Sequence, residues 1–493
     1  MWPFNPKPAK KTTHAPRRRG FAAAKTSRLL ADLSGSSASV NEILRGDLKT
    51  LRNRCRELEY NNSHARRFLS LVEMNVIGPN GIVLQSAAVT KMGTPDVPMR
   101  GKIHAEFKKW AKKKNCSVDG IDSWLSLQRL AVRTVALTGE VFIRVVVDPS
   151  SPWGMRLQLL DPDYCPIDLN QDAGGGKNTI RLGIEINKFG KPLAYHLTVD
   201  HPGDRIFTTG RGQYERVPAE EIVHLFYRQR PGQLRGIPWM AAALVDTHHL
   251  DQFLSAALIK QRVEASKMGF ITQDEGSAGY DGQGRDEADG SIVSEVSAGV
   301  IELLEPGQDF KQFDPSSTDT IDSFTKIILH RLAVGMGVSY HSLAGDLEGV
   351  NYSSIRAGKL EDQDLWQVFQ GWAIEALCEP VFDWWIQLQT LSGSLGALGM
   401  GELPRIESAE WLARRWAWVD PEKEVTAHIM GINAGLESRR GVIREMGRNP
   451  EQVTDEIETD PFKPIQQVAA VAPSAPAEEK PNPKDEEDET NAA

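Results

Sequence analysis

The sequence predicts an α+β protein that is mainly helical. Three long segments, residues 238–268, 317–338 and 353–390, repeat apolar residues at helical spacing. Residues 156–227 instead alternate short β-rich stretches with glycine and proline turns, as an antiparallel lobe does. With 493 residues and 40% hydrophobic content, the chain is long enough for two to four domains' worth of packed structure.

The common signatures of enzyme sites are missing from the sequence. It contains no P-loop, GxSxG or HExxH motif, and no GxGxxG between a strand and a helix. The run DTHHLD, residues 246–251, holds two histidines and two aspartates, but adjacent histidines leave a helix in different directions. The four cysteines are far apart and lack the spacing of a zinc or redox site. We therefore expect no catalytic residue, no metal and no cofactor.

The sequence also argues against membranes and export. No run approaches the roughly 20 apolar residues of a membrane span. The basic start, MWPFNPKPAKKTTHAPRRRGF, lacks the apolar centre of a secretory signal, which predicts a cytoplasmic protein. The net charge of −9 is unevenly placed, with a basic arm at residues 1–36 and an acidic tail at residues 451–493. The proline, alanine and charge content of both ends predicts disorder.

Residues 37–237 are predicted to combine helices with a sheet. A helix over 37–75 would begin near the capping residue Asn41 and stop at Gly78, and another would cover 101–115. The stretch GIVLQSAAV predicts a strand, and EVFIRVVVD predicts a buried one because of its β-branched residues. IRLGIEIN and PLAYHLTV, joined by KFGK, predict a hairpin.

Two long helices follow, over residues 238–268 and 317–338. The first begins at a proline, which suits the first turn of a helix, and meets no further proline or glycine until Gly269. A helix of thirty residues is about 45 Å long and needs a long neighbour. The apolar stripes of the two helices include Phe253, Leu254, Leu258, Phe324 and Ile328.

Residues 269–316 separate these helices. GFIT and GVIELLE predict short strands on either side of SAGYDGQGRDEADGS, whose glycines and charges predict an exposed insertion. The charged residues of this insertion include Asp281, Arg285, Asp286 and Glu287.

The stretch VGMGVSYHSLAGDLEGVNYSSIR interrupts the helical pattern after the second long helix. Glycine frees the backbone, so four glycines within fifteen residues indicate a place that bends or moves. They are Gly335, Gly337, Gly345 and Gly349. Two carboxylates lie at the tip of this segment, at Asp346 and Glu348.

The remaining chain is predicted to be helical. Residues 353–390 form a helix that Pro380 should kink, and residues 391–450 contain a shorter helix over 421–447. Four tryptophans recur at helical spacing, which favours packing over base stacking. They are Trp366, Trp372, Trp384 and Trp385.

Three separated stretches, in order, resemble the portal proteins of lambda-like tailed bacteriophages. They are NNSHARRFLSLVEMNVIGPNGIVLQ, YRQRPGQLRGIPWMAAAL and RLAVGMGVSYHSLAGDLEGVNYSSIRAGKLEDQ. The likeness extends over about residues 40–450. It implies a mainly helical portal fold and a non-enzymatic protein that forms a ring, typically of twelve subunits, at one capsid vertex.

The resemblance also implies names for the predicted regions. Residues 37–237 would be the wing and 269–316 a small clip that faces the terminase. The helices at 238–268 and 317–338 would be paired stem helices, with 339–352 as a tunnel loop, 353–390 as the kinked wing helix and 391–450 as the crown. The tunnel loop would present Ser342, Asp346, Glu348 and Asn351 to the DNA and bend at its glycines. The insertion at 276–291 is the alternative lining of the narrowest point.

The partners follow from the same resemblance. They are further copies of the chain, double-stranded DNA in the channel, the terminase large subunit, the major capsid protein and scaffold, and a head-completion or tail-adaptor protein. The expected location is the capsid vertex of a virion assembled in the host cytoplasm. Another virion scaffold or capsid-shell protein is the alternative reading.

Overall fold

The computed structural model describes residues 37–174, 178–204, 214–265, 269–273, 308–312, 319–348, 352–416 and 421–461. Its helices are α1 (Val40–Asn61), α2 (Ser63–Val72), α3 (Val97–Trp110), α4 (Lys113–Cys116), α5 (Trp124–Thr138), α6 (Leu244–Ala265), α7 (Asp319–Met336), α8 (Tyr340–Ala344), α9 (Tyr352–Ala373), α10 (Glu379–Ser392), α11 (Leu403–Ile406), α12 (Pro421–Asn433), α13 (Arg439–Glu445) and α14 (Pro450–Thr459). Its strands are β1 (Val83–Ser86), β2 (Glu140–Val147), β3 (Met155–Leu160), β4 (Thr179–Arg181), β5 (Ile184–Ile186), β6 (Pro192–Thr198), β7 (Tyr214–Pro218), β8 (Ile222–Phe226), β9 (Gly269–Gln273), β10 (Gln308–Gln312) and β11 (Ala409–Leu412). The predicted α+β, mainly helical class is confirmed.

The first predicted helix is two helices, because the chain turns at Asn62. This residue has an extended backbone, and its side chain accepts the N–H of Ala65 at 2.8 Å to cap α2. The predicted cap at Asn41 is wrong, since Ser39 caps α1. The Asn41 side chain instead holds a distant loop, donating to the carbonyl of Gly232 at 2.8 Å.

Two antiparallel sheets lie within residues 37–237, and β1 pairs separately with β11. The first has the order β3-β2-β8, so β2 is central, and its burial confirms the predicted buried strand. The second has the order β4-β5-β6-β7, in which β5 and β6 form the predicted hairpin. The predicted strand IRLGIEIN is split into β4 and β5 because the backbone at Leu182 and Gly183 is left-handed, with φ of 52° and 81°.

An aromatic cluster joins the helices of the main core. Phe107 lies 5.2 Å from Trp110 and 5.2 Å from Trp385 between ring centroids, and Phe382 stacks on Trp385 at 6.0 Å. All four side chains are buried. Truncating a side chain of this size in a packed core costs roughly 3–5 kcal/mol. This cluster therefore ties α3 to α10.

The predicted break in the long helix occurs one turn before Pro380. Helix α9 ends at Ala373, a π-helical turn covers Ile374–Cys378, and α10 starts at Glu379. A proline ring excludes the carbonyl four residues earlier, here that of Ala376, from the helical bonding pattern. The π turn absorbs this lost bond.

The chain after residue 450 departs from the predicted disorder. Residues 450–459 form α14, whose first turn is capped by Asn449, the acceptor of the Glu451 N–H at 2.8 Å. Glu451 also pairs with Arg100 of α3 at 3.2 Å. The disordered tail predicted from residue 451 is therefore wrong over this helix, and residues 462–493 lie outside the described residues, as does the arm at 1–36.

The predicted helix over 421–447 is also two elements. Helices α12 and α13 are separated by a turn in which Gly435 has a left-handed φ of 72°. Within the described part of the chain, none of the helices is both long and apolar enough to cross a membrane.

Candidate DNA-channel segment and paired helices

Helices α6 and α7 pack side by side in opposite directions. Phe253 meets Phe324 with ring centroids 4.4 Å apart, and Asp246 pairs with Arg331 at 3.1 Å. The contacts run forward along α6 and backward along α7, which defines an antiparallel pair. The sequence thus located both helices and their apolar contact.

One face of this helix pair belongs to the main core. Leu250 and Leu332 are fully buried, and Ile328 is nearly so. Asp251 accepts the side-chain amide of Asn62 at 2.9 and 3.0 Å, which fixes α6 to the start of α2. The predicted stem residue Ile328 therefore faces the core within its own chain.

The other face of the pair leaves large apolar side chains in solvent. Leu258 is 53% exposed and Ile327 is 59% exposed. Two of the predicted stem residues, Leu254 and Phe324, are also exposed by more than a third. Further exposed apolar side chains on these helices are Val245, Ile259 and Val334. Several large apolar side chains left in solvent on one helix pair are typical of a protein interface.

The bounds of the first long helix differ from the predicted 238–268. The regular helix begins at Leu244, after a 3-10 turn over Ala241–Ala243. This turn packs against α7, where a Cβ on Gly335 would lie 3.4 Å from the Cβ of Ala243. The described helix ends at Ala265.

The region predicted as the clip contains an antiparallel strand pair. Strand β9 matches the predicted GFIT, and its partner is β10, which the sequence did not indicate. The predicted partner GVIELLE lies outside the described residues, as do Asp281, Arg285, Asp286 and Glu287.

The predicted tunnel loop contains a short helix, α8. Ser339 caps this helix, and Asp362 of α9 accepts the Ser339 N–H at 2.9 Å and its hydroxyl at 2.6 Å. The Ser342 hydroxyl donates to the same carboxylate at 2.9 Å. The hydroxyl of Ser342, which was predicted to face the DNA, is therefore hydrogen-bonded to Asp362.

Side chains from two other helices hold α8 from the opposite direction. Arg67 of α2 donates to the carbonyl of Ser342 at 3.1 Å. His330 of α7 stacks on Tyr340 with ring centroids 4.1 Å apart, and Leu343 is buried. The base of the predicted loop is thus packed against neighbouring helices.

The tip carries the two predicted carboxylates. Asp346 accepts the Tyr340 hydroxyl at 2.8 Å and the N–H of Glu348 at 2.9 Å. The Glu348 N–H, and secondarily the Tyr340 hydroxyl, lower the pKa of Asp346. Glu348 is exposed. The tip is therefore negatively charged near neutral pH.

The predicted hinge glycines occupy different positions. Gly337 and Gly345 end α7 and α8 with left-handed φ angles of 68° and 71°, which glycine adopts without strain. Gly335 lies inside α7. Gly349 and Asn351 lie outside the described residues.

A buried charged cluster around the start of β2 was missed by sequence reasoning. Glu140, at the start of β2, accepts hydrogen bonds from Arg52 and from Arg235, the latter at 2.6 Å. Its second oxygen lies 3.0 Å from His224 and accepts the Gly236 N–H at 2.7 Å. All three charged side chains are fully buried. The cluster joins segments of the chain that are distant in sequence.

Electrostatics hold the cluster in one charge state. Burial opposes ionisation of Glu140, but Arg235 and Arg52 outweigh it and hold the pKa of Glu140 far below its usual range. Burial also lowers the pKa of His224, against the opposing effect of Glu140. The sequence held two hints of this cluster. One was a glutamate at the start of a strongly apolar strand, and the other was the Arg235–Gly236 pair within YRQRPGQLRGIPWMAAAL.

Two groups of acidic residues in the described part of the chain are held by cationic or amide side chains. In DTHHLD, Asp246 binds Arg331 and Asp251 binds Asn62. The structure also brings together Asp161, Asp163 and His201. Arg56 donates to both of these aspartates, at 2.8 and 2.6 Å, so one guanidinium pairs with two carboxylates.

Comparison with known proteins identifies the family. The family model described as "Phage portal protein, lambda family" matches residues 26–370. This chain belongs to the lambda family of phage portal proteins. The probable portal protein of Halomonas phage phiHAP-1 is 37% identical over 447 residues, which is 90% of this chain and 86% of the relative.

More distant relatives are also portal proteins. Portal protein B of Escherichia phage lambda is 24% identical, and the portal protein of Escherichia phage N15 is 23% identical, each over 78% of both chains. A solved structure, the neck of a native GTA particle computed with C12 symmetry, aligns with a TM-score of 0.44 and 15% identity over 82% of this chain and 94% of that chain. The family rests on the family model and the Halomonas phage relative. Membership of the portal family sets aside the shell or scaffold alternative. Portal proteins are structural virion components and not enzymes.

Proposed function

We propose that copies of this portal-family chain assemble into a dodecameric ring through the outer faces of α6 and α7. The observation that carries the proposal is the set of apolar side chains left in solvent there, such as Leu258 and Ile327. Removing one side chain of this size from water contributes roughly 1.5–3 kcal/mol. Several such residues per chain, repeated around a closed ring, favour assembly strongly.

In this ring, the segment between α7 and α9 lines the DNA channel. Its base is fixed by Asp362 and Arg67, so its acidic tip is held at a defined place. Asp346 and Glu348 repel the phosphates of the duplex. Repulsion suits a conduit, because a wall that bound phosphates tightly would hold the DNA during transport.

The ring occupies one capsid vertex and is assembled in the host cytoplasm. The clip at 269–316 docks the terminase large subunit, through residues that include Asp281, Arg285, Asp286 and Glu287. The remaining surfaces contact the major capsid protein and scaffold during assembly, and a head-completion or tail-adaptor protein afterwards. The lambda-family membership supports these contacts.

Electron microscopy of the purified protein tests assembly. Wild-type chains should form rings with a central channel, and Leu258→Glu together with Ile327→Glu should give folded monomers, because charges replace the apolar contacts. Leu391→Glu is the matched control, since Leu391 is 65% exposed but lies on α10. Rings formed equally by all three proteins would contradict the proposed interface, and closed shells would contradict the ring.

A further inference from the structure

A groove of about 970 Å³ lies between α3, residues 80–85, the start of α5 and α14. Apolar side chains line much of it, including Leu84, Phe107 and Leu125. Val83 is 43% exposed and Val97 is 56% exposed on the same lining. The groove therefore offers an apolar surface that no described segment covers.

One position on the edge of β1, at Leu84, is open along this groove. The N–H of Ala87, directly after β1, donates to the carbonyl of Ser408. Alternate residues of an antiparallel strand bond to its partner, so the N–H and C=O groups of Ile82, Leu84 and Ser86 point away from β11. On the side that points away, Gln128 bonds both backbone groups of Ile82, and His104 accepts the N–H of Ser86.

Leu84 lies between those two covered positions. No described group is bonded to its N–H or its carbonyl on that side. An extended peptide could add to this edge, as in other cases where a strand is augmented by a bound segment.

The chain itself supplies a segment of suitable chemistry beside the groove. Gln452, Thr454 and Asp455 of α14 form one of its walls. The helix ends only one turn later, at Thr459. The sequence that follows is PFKPIQQVAAV, residues 461–471, whose apolar residues match the groove.

Charge supports the same occupant. Lys108 lines the groove, and Lys112, Lys113 and Lys114 are exposed directly after α3. Residues 478–489 carry seven acidic residues and two lysines. With residues 462–471 in the groove, this acidic stretch is tethered close to the lysines, where opposite charges attract.

We propose that residues 462–471 bind in this groove of their own chain and add to the open edge of β1 at Leu84. The groove is thus filled by a segment of the same chain. While residues 462–471 are bound, no other peptide can enter the groove. The proposal is independent of the ring and of the DNA channel.

Thiol protection in the full-length protein tests this. Ala105→Cys places a thiol on the exposed α3 face that lines the groove, and Lys102→Cys places one on α3 outside it. The native cysteines are buried, and burial raises the pKa of Cys55 to about 12 and that of Cys165 to about 11, so they react little with iodoacetamide.

Each thiol is compared with and without Ile465→Asp and Val468→Asp, which put charges on the segment. The Ala105→Cys thiol should react about tenfold faster when the segment carries these charges, since a tethered peptide acts at roughly millimolar effective concentration. The Lys102→Cys thiol should react equally in both backgrounds.

Equal rates for the Ala105→Cys thiol in the two backgrounds would overturn the proposal. So would protection of the charged-segment variant by added wild-type chains, because the occupant would then come from another copy.

Discussion

Asp362 receives both the backbone N–H and the hydroxyl of Ser339, at 2.9 and 2.6 Å. The two bonds join the residue that caps α8 to the middle of α9. Because Arg67 holds α8 from the side of α2, a displacement of the acidic tip is resisted by two helices at once. The tip and α9 are therefore mechanically connected through one carboxylate.

Replacing Asp362 should loosen this connection. Asp362→Ala leaves three partly buried donors without their acceptor, so we expect a loss of about 1–3 kcal/mol in the free energy of unfolding. Denaturant unfolding measures it. Asp364→Ala is the control, because Asp364 is exposed and bonds to no group in the described part of the chain, and it should cost under about 0.5 kcal/mol. Equal losses would show that Asp362 does not hold α8.

Gly236 should tolerate no side chain. A Cβ there would lie 1.9 Å from the carbonyl oxygen of Gly139, a backbone atom that cannot turn aside. Gly236→Ala should therefore destabilise the fold by roughly 3 kcal/mol or more. Gly371→Ala is the opposite control, since nothing lies within 4 Å of its Cβ position in α9, and it should stabilise by about 0.5–1 kcal/mol. Thermal unfolding of both variants decides, and a stable Gly236→Ala protein would contradict this close backbone contact.

The buried Glu140 cluster should make stability fall in acid. The folded-state pKa of Glu140 lies below its unfolded value, so its contribution is present above the unfolded pKa of about 4.3 and is lost as the pH falls below it. The lowered pKa of His224 acts in the same direction, beginning below about pH 6.5.

Glu140→Gln tests the cluster directly. It removes the carboxylate shared by two buried guanidinium groups, of which only Arg52 keeps another carboxylate in the described part of the chain, Asp163 at 3.5 Å. It should cost about 3–5 kcal/mol at pH 7, with a weaker dependence on pH below 5. Glu215→Gln, which breaks the exposed pair with Arg144, should cost under about 1 kcal/mol. Unfolding curves from about pH 2 to pH 8 measure both, and an unchanged pH dependence in Glu140→Gln would refute the assignment.

The charge of the tip is best reversed at Glu348. Asp346 also bonds Tyr340, so changing it would alter the local structure, whereas the exposed Glu348 carboxylate can be replaced more cleanly. Glu348→Lys rings should form but package less DNA, because each subunit then attracts phosphate.

The deficit should shrink as salt rises, since screening weakens that attraction. Glu220→Lys makes the same change at an exposed glutamate outside the candidate channel segment and should package normally. Packaging assays at two salt concentrations compare them. Wild-type yields from Glu348→Lys would mean that this carboxylate does not face the DNA.

Local pattern was a reliable guide where one segment determines its own structure. The apolar spacing around Phe253 and Phe324 located α6 and α7, and the β-branched run from Glu140 located β2. Such periodicities depend on neighbours within a few residues, so they are readable before folding. The ends of helices were predicted less well, because neighbouring polar residues can each serve as the N-cap. Ser39 caps α1, where Asn41 was expected.

The candidate channel segment was found by its glycines and acids, but its packing was not. A glycine-rich stretch predicts a loop. The local sequence does not indicate that the hydroxyl of Ser342 will donate to Asp362, which is twenty residues further along the chain. The short helix α8 depends on that distant carboxylate and on Arg67. Tertiary contacts therefore turned much of a predicted loop into a fixed base with a short tip.

The sequence alone determined the fold class, the paired helices and the resemblance that family membership confirmed. The tertiary structure alone decided that Glu140 meets Arg52 and Arg235, which are 88 and 95 residues away. It also decided that α14 folds against α3 and leaves a groove there. Charge pairs and grooves form between surfaces that are distant along the chain, and local hydrophobic periodicity carries no information about which distant surfaces will meet.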